Sequence, residues 1–211
     1  MEPPTTASGR GRPKTRNRER LLEEAMRAYW AEESAAISIN TLCQQVGVSK
    51  PSLYREFKNE DALTDAVLAH YAEHMLQPFI EVASAQRPLQ EKLNALIDLV
   101  SEAPPFETGC LFVKMHARRA AYGPLTQRRI DQLASSTLSL YCRMFAEAKE
   151  AGEWASGLSP ELAAAYVAAQ VALGVSQRAE ARTPKEVRAM MEVAFAGLTS
   201  QKAGGASAPA N

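Results

Sequence analysis

Ser38-Ile-Asn-Thr-Leu-Cys-Gln-Gln-Val-Gly-Val-Ser-Lys-Pro-Ser-Leu-Tyr-Arg-Glu-Phe57 decides the fold. It reads as two short helices joined by a tight turn. Ser38 is placed to cap the first, which carries Ile39, Leu42, Cys43 and Val46 on one face. Gly47 stops it, because a residue just past a helix end often needs a positive φ that only glycine adopts without a Cβ clash. Ser49 caps the second helix, and Pro51 sits in its first turn, where a missing N–H is harmless. Leu53 and Phe57 then face inward one turn apart. The outward face holds Lys50, Ser52, Tyr54 and Arg55, with Lys58 following. Two helices and a glycine turn also occur in bundles that never touch DNA, but such bundles do not need this row of donors. The pattern is that of a helix-turn-helix, whose second helix enters the DNA major groove.

The run Val48-Ser-Lys-Pro-Ser-Leu-Tyr-Arg-Glu-Phe-Lys-Asn-Glu-Asp-Ala-Leu63 resembles the signature of the TetR family of one-component transcriptional repressors. The resemblance covers about residues 15–70. It implies an all-α protein of about nine helices, with an N-terminal three-helix helix-turn-helix domain and a helical C-terminal domain for ligand binding and dimerisation. It also implies a long connecting helix after Asn59, a phosphate contact from Tyr54, and a dimer built on the last two helices. Glu60 departs from the pattern, since relatives often carry Lys there. Repression, relieved when a small molecule shifts the two heads off the spacing of successive major grooves, is the family's usual mode.

Composition bounds the alternatives. The 211 residues contain 46% hydrophobic residues and carry no net charge, so total charge predicts no nucleic-acid partner. Its distribution does: Arg10 to Arg20 holds six basic residues and one acid, Glu19. Three cysteines without paired spacing argue against a disulfide framework. No apolar run reaches the ~20 residues of a membrane span, and the basic start lacks a secretory apolar core. A cytoplasmic protein is expected. No Gly-rich phosphate loop, nucleophile elbow or carboxylate pair indicates an enzyme, and no cofactor motif is present.

Four segments are expected. Residues 1–14 read as a disordered basic arm, whose Gly9-Arg10-Gly11-Arg12-Pro13-Lys14 resembles an AT-hook placing Arg10 and Arg12 in an A·T minor groove. Residues 15–62 form the DNA-binding domain, 63–200 the effector and dimerisation domain, and 201–211 a loose tail. Helices are expected at about 15–33, from 60 toward Pro78, from Pro88, from Gly109 to about Tyr122, at about 125–151, 160–178 and 184–200. The helix at 160–178 is apolar nearly all round, so it and the last helix are the expected homodimer interface. Ala163, Ala164, Ala168, Ala172 and Gly174 are the small residues expected to allow close packing there.

The DNA-binding candidates are Arg10, Arg12, Asn40, Thr41, Ser49, Lys50, Pro51, Ser52, Tyr54, Arg55 and Lys58. Lys50 and Arg55 are long enough to reach guanine edges or phosphates. The effector candidates are Phe79, Cys110, Phe112, Met115, His116, Tyr122, Tyr141, Phe145 and Trp154, which suit a mostly apolar or aromatic small molecule. Two narrower readings belong to the same fold. Cys110, at a helix start and near Lys114, would have a favoured thiolate and sense oxidants or electrophiles. His70 and His74, four apart, would share a metal with His116 or Cys110. An architectural DNA binder without effector is the remaining alternative.

Overall fold

A computed structural model describes residues 14–32, 37–103, 106 and 108–199, with side chains between residues 18 and 198. The arm carrying Arg10 and Arg12 and the tail 201–211 lie outside the described residues. Ten α-helices and no strand occur among the described residues. They are α1 (Lys14–Ala31), α2 (Ile39–Val46), α3 (Lys50–Phe57), α4 (Glu60–Met75), α5 (Gln77–Ser84), α6 (Leu89–Glu102), α7 (Leu111–Ala117), α8 (Pro124–Glu150), α9 (Pro160–Ala179) and α10 (Pro184–Thr199).

The first three helices form the head. Its core is Leu22, Ala25, Met26 and Tyr29 of α1 against Leu42, Cys43, Val46, Leu53 and Phe57. The turn is built as the residues require. Ser38 accepts a hydrogen bond from the Thr41 N–H, Gly47 stands at φ 67°, and Ser49 accepts from the Ser52 N–H. α4 straddles the expected division at residues 62 and 63. It packs on α1 and α3 and also on α7 and α8.

Two expected boundaries are corrected. The helix from residue 60 toward Pro78, expected to kink or end at that proline, ends at Met75, three residues short of it, and α5 begins at Gln77 with Pro78 in its first turn. Proline is tolerated there but not deeper in a helix, so the chain restarts instead of kinking. The helix expected from Gly109 to Tyr122 is also shorter. It spans Leu111–Ala117 and tightens into a 3₁₀ turn, Arg119–Ala121.

α8 is the spine of the second domain. Its 27 residues rise about 40 Å at 1.5 Å each. One end touches the head and the other carries Phe145 against Trp154. α6, α9 and α10 pack together beside it. Gly174 makes that meeting possible: a Cβ there would stand 2.6 Å from Val100 Cγ1 and 2.9 Å from Met191 Sδ. Ala163, Ala164 and Gly174 are therefore buried within the chain's own core, and Ala168 and Ala172 line a cavity. This corrects the expectation that these small residues face a second subunit.

Candidate nucleic-acid interface and effector cavity

On the head, Asn40, Thr41, Ser49, Lys50, Pro51, Tyr54, Arg55 and Lys58 are exposed, and Ser52 is half-buried. Those on α3 face outward because Leu53 and Phe57 turn its opposite side inward. Arg55 reaches back to the Ser52 hydroxyl at 3.5 Å. The one carboxylate of α3, Glu56, is engaged by Arg18 Nε at 3.1 Å, and the Arg18 guanidinium covers the Phe57 ring. Among the described residues, no carboxylate lies within ion-pairing distance of Lys50, Arg55 or Lys58. The surface therefore offers donors and positive charge without a competing acid, the requirement for meeting phosphates and base edges.

Sequence reasoning missed how α3 ends. Lys58 has φ 68° and ψ −50°, and the Asn59 N–H donates to the Phe57 carbonyl at 2.8 Å. That is a γ-turn with positive φ at its centre, a strained state for a residue with a Cβ. It lets Asn59 cap α4 by accepting from the Ala62 N–H at 2.8 Å. No glycine marked the place.

The second domain holds a cavity of about 780 Å³ between α4, α5, α7, α8 and α9. Of the nine effector candidates, Phe79, Cys110, Phe112, His116 and Tyr141 line it. The other four, Met115, Tyr122, Phe145 and Trp154, do not. Met115 and Phe145 are buried in the packed core. Trp154 donates its indole N–H to the Leu198 carbonyl at 2.9 Å, pinning the end of α10. Tyr122 lies beside Tyr29 at the head, and burial pushes its hydroxyl up to about 12. Helical spacing identified large side chains but not which of them border empty space.

Cys110 also departs from expectation. Burial pushes its thiol above the ordinary value, outweighing the lowering from the Tyr71 hydroxyl, which donates to Sγ at 3.1 Å, and from nearby backbone N–H groups and Lys114. The Lys114 ammonium donates to the carbonyls of Trp30 at 2.9 Å and Glu32 at 3.4 Å. A cation there complements the negative end of the α1 dipole. Beside it, Trp30 donates its indole N–H to the Gly109 carbonyl at 2.9 Å and meets the Tyr71 ring edge-on. The far end of α1 is thus fastened to the residues next to Cys110, on the cavity wall.

The histidine pair has no third ligand beside it among the described residues. His70 and His74 stack with ring centroids 4.1 Å apart, and His74 Nδ1 lies 2.8 Å from the His70 carbonyl. Among the described residues no three His, Cys, Asp or Glu side chains gather as a metal would need.

A second junction joins head and cavity domain. Asp61, in the first turn of α4, accepts from the Leu125 N–H at 2.8 Å and the Thr126 N–H at 3.0 Å, and from the Thr126 hydroxyl at 2.8 Å. It therefore caps α8 from another helix. Arg129 adds an ion pair to Asp65 at 2.9 Å. Among the described residues, no helix is long and apolar enough to cross a membrane.

No protein-family model matches the chain. Over 110 residues it is 34% identical to the HTH-type transcriptional repressor ComR of Escherichia coli K12, a match covering 49% of this chain. The chain matches only about half, 51%, of that relative's length. Among solved structures, a cysteine-substituted form of the TetR-family regulator CifR, bound to 26-base-pair operator DNA, superposes with a TM-score of 0.72. That likeness covers 87% of this chain and 98% of the other at 21% identity. Reduced NemR of E. coli superposes with a TM-score of 0.70, covering 88% and 98% of the two chains at 18% identity. The fold is that of the TetR-family transcriptional regulators, as the helix-turn-helix motif implied.

Proposed function

We propose that this chain, folded as TetR-family regulators are, is a sequence-specific DNA-binding transcriptional regulator. In this reading it represses from a palindromic operator and is released by a small molecule in the α4–α9 cavity. The observation that carries it is the pairing of two features: an exposed face of donors on α3 without a competing acid, and a cavity whose wall is hydrogen-bonded to the head. An architectural binder without effector would need the first and not the second. The relatives bound to operator DNA and named as repressors support the same reading.

A homodimer is part of the proposal. A single short recognition helix reads about half a site, and two-fold dimers on palindromes double the contacts. The surface of α9 and α10 supports this. Leu162, Tyr166 and Leu173 lie outward on α9, and Met190 and Val193 on α10, with Val193 79% exposed. These are large apolar groups left outside the chain's own core, on the two helices where the sequence led us to expect a partner.

In this reading Lys50 and Arg55 reach the major groove, Tyr54 and Lys58 hold phosphates, and Asn40 and Thr41 contact the backbone alongside. The test is selection of duplexes from a random pool by the purified full chain. Enrichment of a palindrome supports the reading; a pool that stays unenriched after repeated rounds rejects it.

A further inference from the structure

Tyr141 is buried and lines the cavity, with 1% of its surface exposed. Its hydroxyl has no hydrogen-bond partner among the described residues and is not a fully buried atom, so it opens onto the cavity. A hydroxyl that opens onto a cavity and meets no protein acceptor is free to donate to whatever occupies that space, water or a ligand. Its neighbour Cys110 is no substitute: Sγ already accepts from Tyr71. Burial keeps the Tyr141 phenol protonated far above neutral pH, and the charge of Cys110 would only reinforce that. The group is therefore a neutral donor facing space.

The rest of the lining sets the chemistry around that donor. Phe79, Phe112 and Leu133 supply flat and branched apolar walls, and Ser135, Ser136, Thr137 and Ser139 line the cavity too, the three serines exposed to solvent where Tyr141 is buried. Among the described lining residues there is no Asp or Glu, while His116 and Arg143 stand exposed at the rim. A cation carried inside would lose its hydration and find no counter-charge. The volume of about 780 Å³ falls in the range that holds whole small molecules.

We infer that the cavity takes an uncharged, predominantly apolar ring-containing molecule with one oxygen, which accepts a hydrogen bond from the Tyr141 hydroxyl. This deepens the effector reading above and rests on it only for the consequence at DNA, not for the binding itself. Tyr141 is the specificity-determining residue of the cavity, and the apolar walls supply affinity that does not distinguish one ring compound from another.

The experiment is equilibrium dialysis of the full chain with three probes of like shape: β-naphthol, naphthalene and β-naphthylmethylammonium. β-Naphthol is expected to bind about tenfold tighter than naphthalene, the value of one added hydrogen bond of about 1.4 kcal/mol. The ammonium is expected to bind more weakly than either. Tyr141→Phe should equalise β-naphthol and naphthalene, leave naphthalene affinity as it was, and keep the thermal midpoint, since the lost hydroxyl held nothing. Equal binding of the two neutral probes by the unsubstituted chain overturns the inference without reference to any variant. So does a preference for the ammonium, or a β-naphthol preference that survives Tyr141→Phe. Release of the selected operator is read separately. Tyr141-dependent binding that leaves DNA bound upholds the site and contradicts the effector role.

Discussion

Trp30 and Gly109 are joined by an indole N–H···O hydrogen bond of 2.9 Å across 79 positions of sequence. One belongs to the first helix of the head and the other to the turn before α7, so the bond spans the two functional halves. Lys114 doubles it by holding the Trp30 and Glu32 carbonyls. A molecule that displaced the Cys110 wall would pull directly on the end of α1. Trp30→Phe keeps the ring against Tyr71 and removes only the N–H. It should lower stability by about 1 kcal/mol, read as a urea midpoint shift. It should also weaken the dependence of DNA binding on cavity occupancy. A variant of native stability that releases DNA normally would show that the bond is not part of the coupling.

Asp61 makes the junction with α8 pH-dependent. Burial acts to raise its carboxyl, but the hydrogen bonds from the Thr126 and Leu125 N–H groups and the Thr126 hydroxyl, with the charge of Arg128, outweigh it and hold the group below its ordinary value. A depressed folded value gives stability that is present above the unfolded value, near about pH 4, and is lost as pH falls through the folded one. Asp61→Asn should therefore cost about 1 kcal/mol at neutral pH, a typical helix-cap loss. The difference from the unsubstituted chain should close under acid. Denaturant titrations at both ends of that window check it. A gap that widens in acid would mean the carboxylate is not the group responsible.

Gly123 tests the same cap by sterics. A Cβ at that position would lie 2.7 Å from both Asp61 carboxylate oxygens, and that short side chain is held by its hydrogen bonds. Gly123→Ala should destabilise by about 1–3 kcal/mol, as forced overpacking does. Combined with Asp61→Ala, which removes the obstruction, the penalty should shrink, giving a strongly non-additive cycle. Additive losses would place the clash elsewhere.

On the DNA face, Lys50→Ala and Arg55→Ala separate two roles. A base contact should cost about 1–3 kcal/mol and relax preference at one operator position. A phosphate contact should weaken all sequences alike and lower the salt slope by about one unit. Affinity measured at several salt concentrations against operator and scrambled duplex tells them apart. Variants that bind like the parent would remove α3 from the interface.

The exposed apolar row gives the quaternary test. Val193→Glu puts a charge where the proposed interface would exclude water, and the residue touches little of its own chain. The variant should keep its helicity, sediment as a monomer and lose most operator affinity. A variant that still sediments as the parent does would move the interface off α10.

Much of this was legible in residue types, for local reasons. Ser38, Gly47, Ser49 and Pro51 encode the helix-turn-helix through capping and φ alone, and each acts within a few residues of itself. Thr183 with Glu186, a reciprocal cap, marks the start of α10 in the same way. What was hidden depends on partners far along the chain. Lys114 acts on the Cys110 thiol as its place in the sequence suggests, but burial outweighs it, and the same ammonium caps α1, which no local pattern shows. Asp61 stands in the first turn of its own helix, yet its hydrogen bonds serve the start of another. Met115 and Tyr141 are both large and buried, and only packing decides that one meets core and the other meets space. The strained Lys58 carries no sequence mark, because its neighbours and not its side chain impose the turn.

The central claim is that two copies of this chain read one palindrome through α3. The most direct measurement is sedimentation of the purified chain with the selected operator and with a scrambled duplex of the same length and composition. The account predicts two copies per operator duplex, with affinity at least about a thousandfold above the scrambled one at physiological salt. A single copy bound, with equal affinity for both duplexes, would contradict it.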